Sequence, residues 1–512
     1  QGCDNPKLKP PRQNEPGGKS PSNASGQTID REFARELARE FGREFAKEFA
    51  EQIRKGDFPL DLKSNATDVA EGDKSNNFSG LVDDQGNPHP LLAHCSEDVF
   101  EFYKKNADCF IISSPDKMPG DLLWEDGSEQ EEFSSPKAQR GGVWNAYMRD
   151  FPRTLRTIGP DANGAFRSYL LDYNVLSLVQ THPNSDGYYP GLANSWAVGK
   201  DGRTVYFRLD PSARYSDGQP VKVSDYFFFF YFMRSKHVQA PWYNDYYGKE
   251  KFEKIVLYDE ETLSITFYKG KPDLLERVSV RGKPEHFYIE LDGEFLSKYQ
   301  WNPEPTTGAY VALPENVDKG KSVTLVRQKN WWADQKRFFR NRFNPDKIKV
   351  SVIRDYNKSF EVFLKGEVDM FGLAKTEFWY DKLPNDHPLV TNGYLSKVTF
   401  FNQTPPPSYA LRINSQKAPL DDLHVRMGIH HSMNFQLVID KIFRGDFVRM
   451  NSVADGYGDR SHPTLRAREF SVDKAVELFA KAGFDSRGPD GILVNGKGVR
   501  LSVEVVTGYK HF

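Results

Sequence analysis

The residues able to do chemistry in this chain are scattered, and their spacing excludes more than it specifies. Three cysteines, Cys3, Cys95 and Cys109, stand among 512 residues, too few and too dispersed for a four-cysteine or three-cysteine-one-histidine zinc site. Cys95 and Cys109 either bridge a short loop in an oxidising compartment or are two separate buried thiols. His89, His94 and Cys95 are close in sequence without a clean ligand spacing, and His424 and His431 share a helix face too far apart to hold one ion, with His430 pointing elsewhere. The sequence therefore specifies no metal ligands. Gly491 to Gly498 approaches a phosphate loop, but Gly498 stands where a Ser or Thr hydroxyl would reach magnesium. Strand-like text, Arg500 to Val506, follows it where a helix N-terminus should face the anion, so the segment reads as a turn. Neither H-E-x-x-H nor G-x-S-x-G occurs, and no local pattern of Ser, His and Asp specifies a nucleophile. The chain reads as a non-enzyme without a cofactor.

Composition narrows the class further. Lys and Arg number 69 against 71 Asp and Glu, a net charge of −2, without the basic excess that neutralising nucleic-acid phosphates over a broad face requires. The 8 Trp, 24 Tyr and 38 Phe supply rigid surface for a core or for an apolar ligand. No run approaches the ~20 apolar residues of a membrane-spanning helix. The densest stretch, Tyr226 to Met233, lies between Asp225 and Arg234 and reads as a buried helix.

The elements that must position any site begin after a long polar start. Residues 1–27 are rich in Pro, Gly, Ser and Asn and read as a disordered tether, because they cannot bury enough apolar surface to offset ordering. Gly2-Cys3 followed by a flexible polar segment matches the surroundings of a lipoprotein processing site. Lipid on Cys3 would anchor the chain to a bacterial membrane; otherwise Cys3 is an ordinary tail residue. Residues 28–56 read as an amphipathic helix, with Phe33, Leu37, Phe41, Phe45 and Phe49 on a slowly winding stripe. That helix is either a self-associating or docking element or one packed on its own body. Residues 57–141 read as an irregular extension with a helix near Asp98–Lys105.

From Gly142 onward, strands and turns alternate with helices. Asp201-Gly202 and Ser216-Asp217-Gly218 mark turns around a strand, Thr204–Leu209. Val223 to Tyr226 opens a helix with Ser224 as its N-cap. The block from Pro190 to Phe232 resembles the signature of the family 5 extracellular solute-binding proteins, which feed peptides and related solutes to ABC importers. Four further blocks agree in order: Pro305-Thr-Thr-Gly-Ala-Tyr310; Asn330-Trp-Trp332 with Lys347–Val352 and Phe363–Asp369; Ile413-Asn414 through Pro419 to Arg426; and Val472 to Gly483. The stretch Met148–Asn163 is most similar to the oligopeptide and microcin-type binders. One departure is Gly428-Ile-His-His-Ser-Met433, in place of the family's alanine-rich run.

The resemblance implies an α/β, two-lobed periplasmic-binding-protein-like fold of type II, of the large class with an inserted third subdomain, closing about a hinge. Lobe I would comprise residues 142–172 and 305–392, the inserted subdomain 173–304, and lobe II 393–512. Family members continue past the position of Phe512, so the sequence is expected to be a piece of a longer protein. The implied function is capture of a peptide or peptide-like ligand between the lobes and delivery to an ABC permease in the inner membrane. Nickel chelates, haem and oligosaccharides are the alternative ligands on this fold; a secreted hydrolase and a surface interaction protein are alternatives of other kinds. Localisation would be periplasmic or at the cell surface, with the membrane reached by a lipid anchor only. Family peptide binders hold the ligand's ammonium group on an aspartate after a turn like Asp455-Gly456-Tyr457-Gly458-Asp459, which makes Asp459 the first candidate and Asp455 the second, with Gly456 and Tyr457 of the same turn also ligand-binding candidates. Arg412 and Arg449 are candidate partners for a carboxylate end, and Tyr173 falls where the family approaches the cleft.

Overall fold

The computed structural model describes residues 80–506, apart from 84, 374, 401–409, 454, 457, 459 and 460. Cys3, the Phe33–Phe49 helix, Tyr457 and Asp459 lie outside the described residues. The main strands are β1 Phe110–Ile112, β2 Val143–Met148, β3 Val179–Thr181, β4 Tyr188–Pro190, β5 Ala193–Val198 and β6 Thr204–Leu209. They continue with β7 Phe252–Leu257, β8 Thr262–Phe267, β9 Tyr310–Asp318, β10 Ser322–Arg327 and β11 Lys347–Val352.

One sheet runs in the order β1-β7-β8-β6-β5. Its β1–β7 pair is parallel and the others antiparallel. All six residues of β8 are buried, as a central strand covered on both faces requires. The cover includes the helix Ser224–Arg234, whose Phe227, Phe228, Phe229, Phe230 and Phe232 are all buried. A helix apolar on every side has to be interior. Its rings meet Phe252 at 5.1 Å and Phe295 at 5.6 Å between centroids. The helix Glu97–Lys105 and β1 join the same core, with Tyr103 at 5.3 Å and Phe110 at 5.1 Å from the Phe227 ring. Residues 97–112, within the stretch read from sequence as an irregular extension, are thus integral to the sheet. Cys95 and Cys109 are both free thiols.

The second sheet has the order β2-β11-β10-β9. Parallel pairing from Val143↔Lys347 to Met148↔Val352 joins segments about two hundred residues apart, and the residues between β2 and β9 hold β3 to β8. Beyond this sheet the apolar clusters are small. Phe360, Phe363, Val368, Phe378 and Leu383 form one, and Val425, Ala475, Phe479 and Phe484 another. In the latter, a Cβ on Gly428 would lie 2.4 Å from the Phe479 ring, so the glycine lets the helices Leu423–Ser432 and Val472–Lys481 approach.

Two expectations fail for identifiable reasons. Ser224 does not cap its helix: the N-cap position is Val223, and the Ser224 hydroxyl instead meets His94 Nε2 at 3.1 Å. Leu501–Val506 forms no strand: pairing with Leu493–Val494 stops at its start, with the bridge Val494↔Arg500 and Leu501 N donating to Leu493 O at 2.7 Å, too short a run for a ladder. Among the described residues, no helix is long and apolar enough to cross a membrane.

Candidate functional site

The Pro305–Tyr310 segment is held by a set of side-chain hydrogen bonds to its backbone. Asn174, buried beside it, donates from Nδ2 to Tyr310 O at 2.6 Å and accepts at Oδ1 from Tyr310 N at 3.0 Å. Thr307 O accepts from both indoles of the following turn, Trp331 Nε1 at 2.9 Å and Trp332 Nε1 at 3.0 Å. Gln328 Nε2 donates to Gly308 O at 2.6 Å, and Thr306 N to Ser216 Oγ at 3.1 Å. The glycine is obligatory, because a Cβ at Gly308 would stand 1.8 Å from Asn174 O. Backbone groups satisfied by side chains in this way can be buried without regular structure.

This knot walls a cavity of about 810 Å³, reached by Asn174, Ser216, Asp217, Thr306, Leu313 and Trp332 among others. Its size falls in the range of small-ligand sites, ~300–1,000 Å³. Glu304 lies between it and a second cavity of about 360 Å³. Lys283, 3% exposed, pairs with Glu304 at 2.5 Å, and Tyr288 donates to the same carboxylate oxygen at 2.6 Å. Burial, reinforced by the Glu304 charge, drives the Tyr288 phenol well above its ordinary value, so it stays a neutral donor. Burial likewise raises Tyr310 to about 12, and its hydroxyl donates to Pro345 O at 2.9 Å. At the rim His286 Nε2 meets Asp217 at 2.7 Å.

The candidates named from sequence are placed unevenly. Tyr173 adjoins Asn174 but is 72% exposed, its ring edge-on to Tyr169 at 6.2 Å. Arg412 is exposed. Arg449 donates to Arg468 O at 2.9 Å and lies over the Phe435 ring at 5.0 Å, a packing role. Asp455 closes its own loop, accepting from Asn451 N at 2.6 Å and Asn451 Nδ2 at 3.0 Å. Gly456 has a left-handed φ of 82°, the conformation that favours glycine in a tight turn. His431 Nδ1 meets Glu469 O at 2.8 Å and His424 meets Asp422 at 3.3 Å, whereas His430 Nδ1 is buried with no hydrogen-bond partner. Sequence reasoning missed Asn174, Lys283 and Glu304. Glu304, a charge immediately before the uncharged Pro305–Tyr310 block, was the one signal available.

Residues 187–510 match the model of the bacterial extracellular solute-binding proteins, family 5 Middle. The chain belongs to this family. A binding protein of Brucella melitensis is 28% identical over 350 residues, 66% of this chain and 55% of the relative. The peptidoglycan-binding protein YepA of Agrobacterium fabrum is 24% identical over 316 residues, 59% of this chain and 50% of the relative. This family 5 chain thus spans about half the length of the curated relatives it matches. Its fold is that of the type II periplasmic binding proteins. The oligopeptide-binding protein AppA of Bacillus subtilis, solved with a nonapeptide, aligns at a TM-score of 0.56 and 15% identity, over 71% of this chain and 68% of AppA. NikZ of Campylobacter jejuni, solved with Ni(L-His), aligns at 0.53 and 16% identity, over 72% and 67%.

Proposed function

We propose that this family 5 protein captures peptides or peptide-like solutes in a cleft between its lobes and hands them to the permease of an ABC importer, outside the cytoplasmic membrane and held there by lipid on Cys3. Family membership carries the solute-binding part of the reading. The peptide part rests on the Asp455–Asp459 turn, whose resemblance to the family's ammonium-binding segment nominates Asp459. A relative bearing the name of a peptidoglycan-binding protein is consistent with it, since peptidoglycan is built partly of short peptides.

The physical reason for an aspartate is that a ligand ammonium leaving water needs a charged partner, and their attraction grows as the closed cleft excludes solvent. Asp459→Asn removes the charge while keeping the shape. Peptide affinity, read by calorimetric titration, is expected to fall roughly a hundredfold or more, with little further loss for N-acetylated peptides, which already bind weakly. Equal losses for free and acetylated peptides would assign the ammonium site elsewhere. Cys3→Ser is expected to release the protein from the membrane fraction; a variant that stays bound would refute the lipid anchor.

A further inference from the structure

His94 and Cys95 acquire a third partner that the sequence does not reveal. Glu285, 190 positions beyond Cys95, places its Oε2 at 3.5 Å from Cys95 Sγ and at 3.3 Å from His94 Nε2. The three donor atoms all lie within 4.8 Å of one another. The Glu285 side chain is only 5% exposed, and its other oxygen, Oε1, is buried with no hydrogen-bond partner. The Tyr103 hydroxyl, also buried and close enough to feel Glu285 and Cys95 electrostatically, has none either. A buried carboxylate held by one weak thiol donor and an imidazole is a costly arrangement, and a cation bound by the carboxylate would offset that cost.

We infer that His94 Nε2, Cys95 Sγ and the Glu285 carboxylate form a site for a divalent transition metal, with zinc the best match. Zinc bonds of ~2.0–2.1 Å to nitrogen, ~2.0–2.2 Å to oxygen and ~2.3 Å to sulfur set tetrahedral edges of about 3.4 Å between N and O and about 3.6 Å between S and O. The observed 3.3 and 3.5 Å fit these two edges; the third, between Nε2 and Sγ, lies within 4.8 Å against about 3.6 Å for a tetrahedral site, so ligation has to draw imidazole and thiolate together. Thiolate, imidazole and carboxylate together favour zinc over the hard cations that prefer oxygen alone. Two anionic ligands balance a divalent charge, which matters beside the buried Asp225, whose Oδ1 faces Glu285 N at 3.5 Å. His94, with 32% of its side chain exposed, leaves the fourth position open to water. Binding would turn the Ser224 hydroxyl away from His94 Nε2, where it now lies at 3.1 Å.

The location gives the ion a structural consequence. Cys95 precedes the helix Glu97–Lys105, and Glu285 stands two residues from Lys283 of the buried pair. Metal would therefore fasten the 90–112 segment to the loop that borders the smaller cavity. Because ligation couples to folding, metal should also stabilise the native chain.

Cobalt(II) is the probe, because thiolate ligation gives it a sulfur-to-metal charge-transfer band. In the full chain carrying Cys3→Ser, which removes the only other cysteine outside the described core, one equivalent of cobalt is expected to produce that band and one equivalent of zinc to abolish it. Zinc should raise the melting temperature. Cys109→Ser is expected to leave the band intact, Cys95→Ser to remove it, and Glu285→Gln to weaken cobalt binding at least tenfold. If Cys95→Ser does not fold, His94→Gln, at a partly exposed position, decides: at least tenfold weaker binding supports the site. A parent without the band, a band that survives Cys95→Ser, or unchanged cobalt affinity in a folded His94→Gln protein overturns the inference.

Discussion

Asn174 pairs with Tyr310 as one strand pairs with another: its side-chain amide donates to the Tyr310 carbonyl at 2.6 Å and accepts from the Tyr310 N–H at 3.0 Å. The single side chain satisfies both backbone groups at the start of β9. It thereby links the segment that ends at Tyr173 to the Pro305–Tyr310 segment, whose Thr307 O holds the Trp331–Trp332 turn, and the wall of the larger cavity depends on that link.

Asn174→Ala should therefore destabilise the protein by about 2–4 kcal/mol, since two buried backbone groups lose their partner. Urea unfolding followed by far-UV circular dichroism measures this. A loss below about 1 kcal/mol would mean that water replaces the amide and that the clamp is dispensable.

Gly308→Ala tests the same knot from the other side. The added methyl would sit 1.8 Å from Asn174 O, so the loop must move away and break the Thr307 bonds to Trp331 and Trp332. A red-shifted tryptophan emission and a lower melting temperature are expected, whereas Gly164→Ala, with open space around it and an ordinary backbone conformation, serves as a control for the added methyl. Parental emission from Gly308→Ala would show that the close approach is not real.

The Trp331–Trp332 turn is also held electrostatically. Asp334 pairs with Arg140 at 2.6 Å and with Arg327. Burial alone would raise its carboxyl, but Arg140 and Arg327 outweigh burial and hold it below the ordinary 3.8. A group depressed in the folded state contributes stability above its unfolded value and loses it as pH falls. The melting-temperature gap between parent and Asp334→Asn should thus be full at pH 6 to 7 and shrink below about pH 4. A gap constant across that range would exclude this linkage.

Much of the fold could be read directly. Thr204–Leu209 and Lys347–Val352 emerge with the expected bounds because turn residues flank short alternating runs. Phe227–Phe232 had to be interior wherever it packed. The Glu285 neighbourhood could not be read, because its partners His94 and Cys95 come from a distant part of the chain and no spacing rule spans that separation. Asn174 was hidden for a related reason: a buried asparagine that mimics a strand looks like any polar residue until its partner, Tyr310, is placed beside it. Ser224 carried a true helix-start signal, but His94 took its hydroxyl.

Packing also predicts where the molecule opens first. The helices Leu423–Ser432 and Val472–Lys481 share a core of only four buried side chains, Val425, Ala475, Phe479 and Phe484, while Ser224–Arg234 is embedded in the main core. Few buried apolar contacts mean a small free energy of local opening. Amides of the two later helices should exchange with solvent at least tenfold faster than those of Phe228–Phe232. Equal protection would show that all three helices open together.

The reading of this family 5 protein as a peptide receptor is tested most directly by titrating the purified full chain calorimetrically with a defined pool of short free peptides, then recovering the pool for mass spectrometry. Saturable one-to-one binding with every peptide recovered intact is the predicted result. Absence of binding to any peptide, with saturable binding to a metal chelate or an oligosaccharide instead, would contradict the peptide assignment, and cleaved peptides would contradict a receptor that only binds.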